Sequence, residues 1–316
     1  MSVVLVTSRS FSGGDIDLIG RLEAAGHTVV RGPAHHDLAE LTDLLPTAEA
    51  WIAGTGPVTA AHLDAAPGLQ VVARYGVGTD AVDVAAAQSR GIVVTNTPGA
   101  NADAVADLAV GLMLGSLRHL VDGDRRVRVG DWSVRRGREL GAATVGIVGF
   151  GRIGQGVGRR VAGFGATILA HDPFLTPELA AAAAVAAAEL DEVFERSDII
   201  TLHAPGGQQV VDARRLGLMR PGGLVVNTAR ADLVDEAAVA ASLTAGHLGG
   251  YATDVLAGDT AAQDSPLLAA HLADRVILTP HLGAQTTQAV DNMGSMAVAN
   301  ALAVLAGEQP PNPVTP

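Results

Sequence analysis

The 316-residue chain has no cysteine and no lysine, so all 21 of its basic residues are arginine. Without a lysine amine there is no Schiff-base chemistry and no phosphate loop of the Gly-Lys-Ser/Thr kind. Without a thiol there is no thiolate nucleophile, iron–sulfur cluster, disulfide framework or cysteine zinc site. Such a composition is compatible with a cytoplasmic compartment. Positive charge is scarce as well: a formal net charge of −12 and a pI near 5.2 argue against a nucleic-acid partner, which needs a basic face. Long apolar runs are missing. The longest, Leu179–Ala188, has ten residues, half of the roughly 20 that a spanning helix requires. Met1–Ser10 lacks the charged-then-apolar layout of a signal peptide. No metal is implied, because the ten histidines show no ligand spacing backed by carboxylates. The adjacent His35 and His36 read as a solvated loop.

What is present is enough to build about two domains, with 48% hydrophobic residues available for burial. Short β-branched runs alternate with helix-length segments from the start. Strands are expected at Val3–Thr7, Thr28–Arg31, Ala50–Ala53, Leu69–Arg74 and Ile92–Thr95, with helices between them such as Asp15–Ala25. Continuous apolar strands of this kind belong to parallel sheets covered on both faces, so the fold class is α/β. Asn96-Thr97-Pro98-Gly99 interrupts the pattern and marks a crossing point between domains. A long helix follows, from about Asn101 to Leu120. The arginine-rich, aperiodic segment Asp122–Leu140 reads as an extended arm. A second series begins at Thr144, with strands at Val145–Val148, Thr167–Ala170, Asp198–Leu202, Gly223–Asn227, Gly250–Asp254 and Val276–Leu278. The alanine tract Ala180–Ala188 reads as an ordinary helix. A last helix, about Thr286–Leu305, is stopped by the proline-rich tail Pro310–Pro316.

The second series opens on Val145-Gly146-Ile147-Val148, which runs directly into Gly149-Phe150-Gly151-Arg152-Ile153-Gly154 and a helix. The pattern G-x-G-x-x-G alone is weak. Here it follows a strand, opens a helix and has an acid, Asp172, 18 positions after its last glycine. Gly149 permits the tight turn, Gly151 lets a pyrophosphate approach the backbone, and Gly154 lets helix and strand pack closely. The helix N-terminus adds unpaired N–H groups and a positive dipole. Asp172 suits the adenine-ribose hydroxyls and would repel a 2′-phosphate, so NAD is the expected cofactor rather than NADP.

The order of motifs from Val3 to Leu305 resembles the D-isomer-specific 2-hydroxyacid dehydrogenases. Arg74-Tyr75-Gly76-Val77-Gly78-Thr79-Asp80 is similar to the family's substrate loop. Val226-Asn227-Thr228-Ala229-Arg230 resembles the segment with its catalytic arginine, and Thr279-Pro280-His281-Leu282-Gly283 the one with its catalytic histidine. The resemblance implies two Rossmann-like, doubly wound domains with the active site in a cleft between them. Residues 1–98 with 286–316 would form the substrate domain and 99–285 the NAD domain. It also implies a homodimer, in which the arm Asp122–Leu140 would take part, and a small 2-hydroxy or 2-keto acid as the other partner. Arg152, Ile153, Ala204, Thr228 and Gly283 would line the cofactor, with Asp254 on the nicotinamide amide.

Roles follow from the chemistry of a keto-acid reductase. His281 suits proton delivery to the developing alkoxide. Arg230 offers a planar cation that forks to the keto oxygen and the carboxylate. The Gly76–Gly78 turn offers N–H groups to the substrate carboxylate, with Arg74, Tyr75 and Val77 around it. The family's third catalytic residue is usually a glutamate. The residue 29 positions after Arg230 is Asp259, whose reach is one methylene shorter. Phosphoglycerate dehydrogenases typically carry Arg-Ser where Ala53-Gly54 stand, and Gly206-Gly207 replaces the common Leu-Thr. The expectation is an NAD-dependent reductase of glyoxylate or hydroxypyruvate type. The alternatives are a 3-phosphoglycerate dehydrogenase or an NAD-sensing binding protein of the corepressor kind.

Overall fold

A computed structural model describes residues 1–258 and 264–315. The chain forms two compact units, one of Met1–Ala104 with Ala284–Pro316 and the other of Val105–Gly283. The fold class is α/β, built on two parallel sheets.

The first unit contains β1 (Val3–Val6), α1 (Leu18–Ala24), β2 (Thr28–Arg31), α2 (Leu38–Leu41), β3 (Ala48–Ala53), α3 (Ala60–Asp64), β4 (Val71–Arg74), α4 (Val84–Ser89) and β5 (Val93–Thr95). Its five strands are ordered β2-β1-β3-β4-β5, all parallel. Because side chains alternate across a strand, Leu5, Trp51 and Val72 fill one face of the sheet. Val4, Val6, Ile52 and Val71 fill the other. The helix after Gly283 belongs to this second face, through Met293, Ala297 and Ala301.

The chain crosses into the second unit within α5 (Ala102–Leu117), followed by α6 (Leu120–Arg128), β6 (Thr144–Val148), α7 (Arg152–Gly163), β7 (Thr167–His171), α8 (Pro177–Ala182), β8 (Ala186–Ala187), α9 (Leu190–Arg196), β9 (Ile199–Leu202), α10 (Ala213–Leu218), β10 (Gly223–Asn227), α11 (Glu236–Thr244), β11 (Leu248–Thr253) and β12 (Val276–Leu278). The strand order is β12-β11-β10-β9-β6-β7-β8. Order reverses between β6 and β9, and the carboxyl ends at such a switch point are where open α/β sheets bind ligands. The chain then returns through α12 (Thr287–Leu305). Among the described residues no single helix is long and apolar enough to cross a membrane.

Two expectations are corrected. The segment read as an aperiodic arm begins as helix α6, set at 58° to α5. None of its residues is buried, so it has no core-facing side to mark it. It is laced instead by pairs one turn apart, Asp122 with Arg125 and Arg126, and Asp124 with Arg128 at 2.8 Å. Residues 131–139 carry no regular secondary structure. The alanine tract is not one helix either: α8 ends at Ala182, Ala184 takes φ 54°, and Ala186–Ala187 pair with Leu169–Ala170 as an edge strand. Alanine's helix preference is a few tenths to about 1 kcal/mol per residue and yields to an available sheet edge.

Candidate active site

The glycine loop leaves β6 with Gly149 at φ 90°. A Cβ there would lie 2.5 Å from the Ala204 nitrogen, so the turn rests directly on the backbone after β9. A Cβ on Gly154 would overlap the Gly149 carbonyl oxygen, which fixes α7 against the loop. Gly151 differs, since a Cβ there would meet nothing within 4 Å. It is the N-cap of α7 and supplies no side chain to the first-turn N–H groups, leaving them for a ligand. Arg152 is exposed, and Ile153 is half-buried against the core.

Asp172 follows β7. Its carboxylate accepts hydrogen bonds from Phe150 N (2.7 Å) and Phe174 N (2.8 Å), so it is anchored to the glycine loop with lone pairs to spare. Thr228, at the end of β10, has a buried Oγ1 without a hydrogen-bond partner among the described residues. A bare helix start, a fixed carboxylate beside it and an orphaned hydroxyl at the next strand ends fit a dinucleotide. Its pyrophosphate would go to Gly151–Ile153 and its ribose to Asp172. Ala204 contributes backbone and packs partly against the core.

Arg230 is carried by a turn that Asn227 builds. Asn227 is fully buried, donates Nδ2–H to the Arg230 carbonyl (2.8 Å) and accepts from Ala229 N (3.0 Å). Arg230 Nη1 donates to the Ala229 carbonyl at 2.9 Å. Asp232 accepts from Gly207 N (2.7 Å), and Asp235 caps α11 through Ala238 N (2.9 Å).

His281 is exposed and sits in the left-handed region at φ 52°, a conformation a non-glycine residue holds only when its neighbours enforce it. The enforcing group is Asp254. Its carboxylate is 3% exposed and accepts from Thr279 Oγ1 (2.5 Å), Leu282 N (2.9 Å) and Gly283 N (2.8 Å). These donors bracket His281 on both sides. Asp254 thereby clamps the histidine loop. Thr279 and Asn227 were not singled out from sequence, although a hydroxyl just before Pro-His and an amide before Thr-Ala-Arg are the visible traces of both supports. Asp259 lies outside the described residues. Among those described, no cluster of three His, Asp or Glu stands close enough to hold a metal ion.

In the first unit, Arg74 is 8% exposed and donates Nη1–H to the carbonyls of Tyr75 (2.6 Å) and Ala53 (3.3 Å). Tyr75 turns its ring into the core, edge-on to Phe11 at 5.9 Å, and donates its hydroxyl to Val290 O in α12 (3.1 Å). Only its backbone belongs to the loop. Gly76 stands at φ 145° against the Arg74 guanidinium. The Asn96–Gly99 segment steadies this loop: Asn96 Nδ2 donates to Val77 O (2.8 Å) and Thr97 N to Gly76 O (3.1 Å). Val77 and Gly78 stay open to solvent in whole or part.

Residues 110–283 match the family profile described as D-isomer specific 2-hydroxyacid dehydrogenase, NAD binding domain. The chain is 40% identical to a D-3-phosphoglycerate dehydrogenase of Mycobacterium tuberculosis over 291 residues, which cover 90% of this chain and 54% of that protein. It is 36% identical to a glyoxylate reductase of Korarchaeum cryptofilum, covering 82% of this chain and 80% of the other. Among solved structures, the TT0316 protein of Thermus thermophilus superposes with a TM-score of 0.89 at 34% identity, over 99% of this chain and all of that one. An NADPH-dependent glyoxylate/hydroxypyruvate reductase of Sinorhizobium meliloti gives 0.85 at 30%, over 100% and 98%.

The chain therefore belongs to the D-isomer specific 2-hydroxyacid dehydrogenase family, and residues 110–283 are its NAD-binding domain. It spans about half the length of the phosphoglycerate dehydrogenases it matches.

Proposed function

We propose that the chain is an NAD-dependent D-2-hydroxyacid dehydrogenase that reduces a small 2-keto acid such as glyoxylate or hydroxypyruvate, in the cytoplasm and as a homodimer. One observation carries this reading. At the carboxyl edge of a single sheet stand an Asp172-anchored glycine loop, Arg230 on its asparagine-built turn and His281 on its clamped loop, at the strand ends where open α/β sheets bind ligands. NADH, when bound, supplies a hydride to the keto carbon. Arg230 holds the carboxylate and polarises the keto oxygen. Protonated His281 delivers the proton that the new alkoxide needs, and Gly283 borders the cofactor beside it. Gly76 N already donates to Arg74 O (3.0 Å), so the N–H groups of Val77 and Gly78, with Arg74, Tyr75 and Gly76 around them, receive the substrate carboxylate. Asp259 orients His281.

A second reading, oxidation of 3-phosphoglycerate, is favoured by the higher identity to the mycobacterial relatives. Packing opposes it. Ala53 is fully buried, and a Cβ on Gly54 would lie 2.6 Å from Thr7 O, so neither position presents an arginine-serine pair. Following NADH oxidation with glyoxylate, hydroxypyruvate and 3-phosphohydroxypyruvate separates the readings. The highest kcat/KM on the phosphorylated acid would overturn the first, and NADH binding without turnover of any acid would mark a sensor.

A further inference from the structure

The histidine pair expected in a solvated loop is split. His35 is exposed and pairs with Glu40 at 3.3 Å. His36 is 1% exposed and stands at φ 57°. Its Nδ1 lies 3.1 Å from Pro57 O and its Nε2 2.6 Å from Thr7 Oγ1. A carbonyl only accepts, so Nδ1 carries the proton; burial keeps the ring neutral, and Nε2 is then an acceptor. The Thr7 hydroxyl must donate to it. Thr7 oxygen in turn accepts from Trp51 Nε1 at 2.8 Å. His62 continues the chain, donating Nε2–H to His36 O (2.9 Å) and accepting from Thr59 N (3.1 Å). Every proton in Trp51–Thr7–His36–Pro57 therefore points one way.

The imidazole also fills space, since a Cβ on Gly56 would come within 2.5 Å of its Cγ. The turn Gly54–Pro57 is moulded on this ring. The residues on either side of the turn hold the two ends of the loop of residues 76–80. Ala53 O accepts from Tyr75 N (2.9 Å), while Val58 accepts from Asp83 N (2.8 Å) and donates to Ala81 O (2.7 Å). Whatever fixes residues 54–57 thus fixes both feet of residues 76–80.

We infer that Thr7 and His36 are positioning residues for the keto acid: they set the placement of the Val77 and Gly78 N–H groups and so the substrate's KM. This rests on the proposal that these groups receive the substrate carboxylate. The test compares wild type with Thr7→Val, Thr7→Ser and His36→Asn, an asparagine tolerating positive φ and keeping a donor for Pro57. Three quantities are measured: KM and kcat for the best keto acid, NADH Kd by fluorescence, and Kd of oxalate on the NADH-bound protein. Thr7→Val should raise keto-acid KM and oxalate Kd about tenfold, with kcat and NADH Kd within about twofold. Thr7→Ser should restore wild-type values, and His36→Asn should fall between. A Thr7→Val protein that has lost only Tm, with KM and oxalate Kd unmoved, overturns the inference alone, as does an NADH Kd that rises in step with KM. If Thr7→Val does not fold, His36→Asn decides by the same readouts. A wild type that neither turns over a keto acid nor binds oxalate overturns the functional reading, and this inference with it.

Discussion

A buried carboxylate that accepts three hydrogen bonds from one loop is a structural commitment, and Asp254 makes it to the loop of His281. Asp254→Asn turns half of the acceptor into a donor facing N–H groups, and Thr279→Val removes one donor while leaving the cofactor side untouched. We expect Thr279→Val to lower kcat about tenfold with NADH Kd unchanged, because His281 loses its enforced geometry. His281→Ala should lower kcat by roughly 10²–10⁴-fold. Stopped-flow turnover with parallel NADH titration checks both, and a Thr279→Val enzyme with normal kcat would remove the clamp from the mechanism. His36 makes a separate prediction about stability. Its pKa is lowered from 6.5 to about 4, chiefly by burial. The unfolded chain therefore binds a proton that the folded one refuses, and stability falls as pH drops from about 6.5 towards 4, by up to about 3 kcal/mol. Burial pushes His203 the same way, to about 3. Urea unfolding across this range should show His36→Asn with a flatter profile than wild type.

At the scale of elements, the glycine loop and its acid decide the cofactor. Asp172 is held by two backbone N–H groups and cannot swing away from a phosphate. NADH should therefore be preferred over NADPH by at least about tenfold in kcat/KM, which needs only about 1.4 kcal/mol of repulsion. Asp172→Ser should narrow the ratio, and equal use of the two cofactors by wild type would refute the assignment. Much of this level was legible in the sequence. Thr28–Arg31, Gly223–Asn227 and Val276–Leu278 are strands at the bounds expected: Gly223–Asn227 is buried throughout and reads as an unbroken apolar run, while the two sheet-edge strands show as short β-branched runs between turn residues. The glycine loop was legible because its glycines answer to backbone geometry, which leaves a fixed spacing. Helix α6 was not, since i,i+4 ion pairs hold it without a buried face. β8 was not, because two alanines carry no strand signal. The Thr7–His36 chain and the Asp254 clamp escaped for a different reason. Each joins residues 25 or more apart, and a polar residue looks solvated until the fold shows what it faces.

For the whole molecule, the exposed apolar side chains are unevenly spread. Val129, Trp132 and Val134 stand 82%, 77% and 93% exposed just beyond α6, a patch that the proposed homodimer would cover. Trp132→Asp with Val134→Asp should give a monomer by light scattering at micromolar concentration, whereas an unchanged mass would move the interface elsewhere. The first unit's construction from two separated stretches has a further bearing on how the protein is made. Val105–Gly283 is continuous and can fold as it leaves the ribosome. The sheet face of Val4, Val6, Ile52 and Val71 has to wait for α12. At about 5–20 residues per second, translating the intervening stretch leaves that face open for roughly 10–40 s. The first stretch of this unit is thus synthesised before Val105–Gly283 and completed only after it, and during biogenesis it is the segment that chaperones must shield.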